Sequence, residues 1–125
     1  MTEQDLILWF EELGLEDVPR VGGKNASLGE MVIHLAPHGV KVPPGFAVTA
    51  AAYRLFLSDG GLEARLEEML GELDTETMNN LAQVGRRIRR VMRSAPLPLS
   101  LETAIRGAYK RLEQQCGAEC DVAVR

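Results

Sequence analysis

Strong strand formers are confined to two short apolar runs in the body of this chain, and nearly everything else follows a helical period. Leu6-Ile7-Leu8-Trp9-Phe10, closed by Glu11 and Glu12, reads as a buried strand, and Phe46-Ala47-Val48 reads as a second. Asp121-Val122-Ala123-Val124-Arg125 reads as the start of a third, which needs a ladder partner that only those two earlier runs can offer. The expected class is therefore mixed α/β, rich in helix, with a sheet that looks incomplete. The chain as a whole is expected to be truncated, because a terminus more often frays into polar residues than halts in a strand.

Between the strands the apolar spacing marks helices. Leu28, Met31, Val32 and Leu35 fall on one face of a helix that Pro37 and Gly39 end. Val42-Pro43-Pro44-Gly45 is a rigid connector, and Thr49 is an expected N-cap for a helix through Tyr53 and Leu57. Ser58-Asp59-Gly60-Gly61 breaks that helix. Leu62, Leu66, Met69, Leu70 and Leu73 mark the next one. Asp74 is expected to cap a further helix with Met78, Leu81, Val84, Ile88 and Val91 facing inward. After Ala95-Pro96-Leu97-Pro98 a last helix presents Leu101, Ile105, Tyr109 and Leu112. The 125 residues suffice for one domain with a core of its own.

A formal net charge of -4 argues against general nucleic-acid binding, which usually needs a basic excess. No apolar run approaches the roughly 18 residues that cross a bilayer. The polar start at Met1 to Asp5 shows no secretory signal, so a cytoplasmic location is expected. Cys116 and Cys120 are two thiols with no second pair, and are expected to be free and reduced. His34 and His38 lie four apart, but Pro37 interrupts the helix between them. No neighbouring Cys or carboxylate completes a metal site, and both are read as structural or exposed. Arg86, Arg87, Arg89, Arg90 and Arg93 form a basic run. It reads as a phosphate or RNA patch or as a solvated helix face answered by Glu63, Glu67, Glu68, Glu72, Asp74 and Glu76, and the second reading is preferred.

Gly22-Gly23-Lys24, just before a helix, is the sharpest local signal. Two glycines allow backbone N–H groups to approach a ligand, a helix N-terminus suits a phosphate, and a lysine adds a mobile positive charge. The spacing is not that of a P-loop: Val18 stands where its first glycine would fall, and Asn25 where Ser or Thr should follow the lysine. By spacing alone, a plain glycine turn with a surface lysine remains open.

Trp9 to Pro19 (Trp-Phe-Glu-Glu-Leu-Gly-Leu-Glu-Asp-Val-Pro), Val21 to Met31 (Val-Gly-Gly-Lys-Asn-Ala-Ser-Leu-Gly-Glu-Met) and Val42 to Thr49 (Val-Pro-Pro-Gly-Phe-Ala-Val-Thr) with Ala52-Tyr53 resemble the opening of the phosphoenolpyruvate synthase (pyruvate, water dikinase) family. Val122 to Arg125 resembles the family strand that runs on into Ser-Ser-Ala-Thr. The Gly-Gly-Lys and Val-Pro-Pro-Gly-Phe blocks are shared with pyruvate phosphate dikinase and rifampin phosphotransferase. The resemblance implies the first portion, residues 1–125, of an ATP-grasp type nucleotide-binding domain. It implies ATP as ligand, with Lys24 and Arg125 on its phosphates and the Gly22 and Gly23 backbone beside them. Magnesium ligands, the phosphohistidine domain and the pyruvate-binding barrel are implied beyond Arg125, so no catalytic residue is assigned here. The implied parent reaction turns ATP, pyruvate and water into AMP, phosphoenolpyruvate and phosphate, in an enzyme that can be a homo-oligomer. The chain alone is expected not to turn over. A non-catalytic interaction protein or the front of a related phosphotransferase are the alternatives.

Overall fold

A computed structural model describes residues 2–117 and 119–125, the side chain of Gln4 excepted. Two compact units emerge, Met1–Tyr53 with Leu99–Arg125, and Arg54–Pro98. Within the first unit, helix α1 (Glu3–Leu6) leads into strand β1 (Ile7–Trp9), followed by helices α2 (Val18–Val21) and α3 (Gly23–Leu35) and strand β2 (Phe46–Val48). The strands pair antiparallel, with Ile7 opposite Val48 and Trp9 opposite Phe46. Both expected strands are present, but the first is shorter than the apolar run. Leu6 belongs to α1, and Phe10 opens a 3-10 turn whose backbone N–H donates to the carbonyl of Gly45.

Leu8, Leu13, Val21, Ala26 and Ala47 make a buried cluster with Phe10 against it. This core selects a face of α3 that apolar spacing did not point to. Its buried residues are Ala26 and Gly29, with the expected Leu28 and Val32 half-buried, while Met31 and Leu35 are exposed. The reason is close approach: a Cβ at Gly29 would collide with the carbonyl of Leu13. Only a small-residue face brings the helix this near to the 3-10 turn Phe10–Glu12. Helix α7 (Leu99–Cys116) packs on α1 and β1 through Leu101, Ala104, Ala108 and Leu112, so alanines fill places the periodicity gave to Ile105 and Tyr109. Arg111 of α7 lies 4.2 Å over the Trp9 ring and reaches Glu11 at 3.6 Å.

Thr49 closes the junction between β2 and helix α4 (Ala50–Ser58), which crosses into the second unit. Its hydroxyl accepts from the N–H of Ala52 at 3.1 Å, as expected of an N-cap, and donates to the carbonyl of Asp5 at 2.6 Å.

The second unit contains α5 (Leu62–Gly71) and α6 (Leu81–Ser94), which pack on each other. Asp74 does not cap α6. Its carboxylate accepts from the N–H groups of Glu76 and Thr77 and so closes a turn of its own. Met78 takes a positive φ of 55°, and the helix begins only after Asn80. Asn80 holds the loop by accepting from the Asp74 N–H and donating to the Glu72 carbonyl, each at 2.8 Å.

Two further expectations are corrected. Cys116 and Cys120 are paired as a disulfide, with Cα atoms 5.7 Å apart. The last turn of α7 and the positive φ of Gly117, 100°, accompany a separation within the span a disulfide allows. Residues 121–125 join no ladder: the sheet among the described residues has two strands, and Val124 is 92% exposed. These residues have no regular secondary structure and add no strand to either edge of the β1–β2 pair.

Candidate functional site

The turn between α2 and α3 is pinned at both ends. Val21 and Ala26 are buried in the core, while Gly22, Gly23 and Lys24 between them are exposed. Gly22 takes φ 82° and ψ 164°, a region essentially reserved for glycine. Its N–H closes α2 on the carbonyl of Val18 at 2.8 Å, and its carbonyl accepts the first bond of α3, from Ala26, at 3.1 Å. The N–H groups before Ala26 are those a helix leaves without intrahelical acceptors.

The space around these donors is open. Nothing lies within 4 Å of a Cβ built at Gly22 or Gly23. No acidic residue occupies the first turn of α3, so its positive end is not neutralised locally. Lys24 is exposed and, among the described residues, makes no ion pair. The turn can therefore offer an anion backbone donors, a helix N-terminus and a mobile ammonium together.

Three supporting residues escaped the sequence reading. Asn25, a departure from the P-loop pattern, donates its side-chain N–H to the carbonyl of Val21 at 2.9 Å and satisfies the end of α2. Asp17, 8% exposed, accepts from the N–H of Gly14 at 3.0 Å and from Arg20 at 3.1 Å, which fixes the entry to α2. The Gly14 N–H chiefly, with Arg20 helping, holds the Asp17 carboxyl below its ordinary value. Glu30 accepts from the N–H of Leu15 at 2.8 Å, which ties α3 to the preceding turn, and its carboxylate lies 2.9 Å from the Nε2 of His34 on the same helix. The asparagine after the lysine was the one visible signal. The other two roles depend on contacts that spacing does not encode.

Arg125 lies exposed in residues 121–125, outside regular secondary structure, and among the described residues takes part in no ion pair. His34 is exposed and held by Glu30 at 2.9 Å, and His38 is exposed in a 3-10 turn. Among the described residues no group of three His, Cys, Asp or Glu side chains could hold a metal, and no helix is long and apolar enough to cross a membrane.

Residues 18–125 match the family described as "Pyruvate phosphate dikinase, AMP/ATP-binding domain". The chain is 47% identical to phosphoenolpyruvate synthase of Synechocystis sp. over 98% of its length, and 48% identical to that of Neisseria meningitidis over 95%. It is also 48% identical to that of Escherichia coli over 86%. These alignments cover 16%, 15% and 14% of the three relatives, so the chain spans only a small part of their length. On the extent of the domain match and the level of identity, this helix-rich α/β chain belongs to the pyruvate phosphate dikinase AMP/ATP-binding family.

Proposed function

We propose that residues 1–125 are the N-terminal portion of an ATP-grasp type nucleotide-binding domain, and that the Gly22-Gly23-Lys24 turn holds ATP phosphates. The observation that carries this reading is the uncovered N-terminus of α3. Open glycine backbone, an unneutralised helix end and an unpaired lysine meet there in a chain of this family. Lys24 would follow the phosphate oxygens as charge develops on them, and the Gly22 and Gly23 backbone would fix their position. Arg125 would supply a second cation once its strand is paired by the rest of the domain.

The parent protein is proposed to be a phosphoenolpyruvate synthase, converting ATP, pyruvate and water into AMP, phosphoenolpyruvate and phosphate. The phosphohistidine and pyruvate sites would lie outside these residues, and the parent can be a homo-oligomer. The proposed nucleotide complex includes magnesium, but the turn does not fit it. N–H donors and an ammonium repel a divalent cation, which needs oxygen ligands. No step is therefore assigned to the metal here.

The test is Lys24→Ala in the full-length parent. Loss of one charge-assisted contact should weaken ATP by about 1.5–3 kcal/mol, read by calorimetry, with turnover falling alongside. Unchanged ATP affinity together with unchanged turnover would remove Lys24 from the site.

A further inference from the structure

Helix α6 carries Arg86, Arg89, Arg90 and Arg93 at spacings of three and four, which sets all four on one face, in a row about 10 Å long. All four are exposed. The acidic residues expected to answer them do so once only, where Glu72 pairs with Arg87. Among the described residues Arg86, Arg89, Arg90 and Arg93 take part in no ion pair. With Ser94 they line an open concavity of about 420 Å³.

Four like charges on one helix face repel one another, a cost that a bound anion relieves. Planar guanidinium forks match phosphate oxygens bidentately, and the Ser94 hydroxyl adds a neutral donor. The lining holds no aromatic or aliphatic side chain on which a base or a peptide anchor could rest. A long polyanion is disfavoured, because every carboxylate of residues 54–98 falls between Asp59 and Glu76 in the same unit. We propose that the arginine face of α6, with Ser94, binds a compact phosphate-type polyanion, either inorganic pyrophosphate or the phosphate chain of a nucleotide. The site uses residues other than Lys24 and does not depend on the role proposed for that turn.

The experiment is calorimetric titration of the full-length protein with pyrophosphate and, separately, with ATP, at low and at physiological ionic strength. It compares the wild type with Lys24→Ala, with Arg86→Gln/Arg90→Gln/Arg93→Gln, and with the matching triple Arg→Lys variant. The substituted side chains are exposed, and circular dichroism checks that the fold is kept. The glutamine variant should lose at least about tenfold in affinity for one of the two ligands, and the same loss should appear when the three glutamines are added to Lys24→Ala and compared with Lys24→Ala alone, as expected of separate sites. Loss for pyrophosphate identifies the free anion, and loss for ATP alone identifies the nucleotide's phosphate chain. The lysine variant should fall between, because it keeps charge without the fork. Equal affinities in the wild type and the glutamine variant would overturn the site, as would full retention by the lysine variant or a hexa-aspartate peptide binding more tightly than either ligand.

Discussion

At Gly22 the backbone adopts φ 82° and ψ 164°, and that one residue ends α2, caps α3 and exposes the donors between them. A side chain would meet no neighbour there, so the penalty for adding one is conformational and not steric. Gly22→Ala should lower stability by about 1–3 kcal/mol, measured by denaturant unfolding. Gly23→Ala, with no positive φ to support, should cost clearly less. Equal losses would show that backbone conformation is not what selects glycine at position 22. The need for glycine here was legible from the Gly-Gly-Lys pattern. The positive φ at the first glycine, and the anchors at Val21 and Ala26, were not.

Elements are joined in the first unit by single polar side chains. Thr49, 3% exposed, caps α4 through Ala52 and bonds the carbonyl of Asp5, while its N–H donates to the Leu6 carbonyl at 3.0 Å. Thr49→Val keeps the shape but leaves a helix donor and a part-buried acceptor without partners. The variant should be less stable by about 1–2 kcal/mol in urea unfolding. Thr49→Ser, which retains the hydroxyl, should recover most of that. The cap was readable because it depends on local spacing. The bond to Asp5, 44 residues away, was not. Asp74 shows the converse, since its sequence looked like a cap and its carboxylate closes a separate turn.

At the scale of the molecule, three carboxylates among the described residues are held below their ordinary value of 3.8. Asp5 is lowered chiefly by the backbone N–H of Thr2, Asp17 by that of Gly14, and Asp74 by the hydroxyl of Thr77. The unfolded chain then binds more protons than the folded one just below that value, so stability falls as acid is added. The contribution is complete above pH 3.8 and is lost as pH drops through the folded values. Unfolding measured from neutral pH down to about pH 3 should show a shallower acid decline in an Asp5→Asn/Asp17→Asn/Asp74→Asn variant than in the wild type. Parallel declines would mean that these hydrogen bonds do not favour the charged forms.

Local rules were enough for the helix-rich α/β class, the two strands, the Thr49 cap and the exposed glycine-lysine turn, because each depends on residues within a few positions of one another. Tertiary structure alone decided which face of α3 and α7 is buried. Close approach selected Ala26, Gly29, Ala104 and Ala108 over larger apolar neighbours, and hydropathy spacing ranks residues by size rather than by fit. It likewise decided that residues 121–125 stay unpaired and that four arginines of α6 face solvent with no carboxylate to answer them. Each of these outcomes depends on where the chain goes in space, which spacing along the sequence does not record.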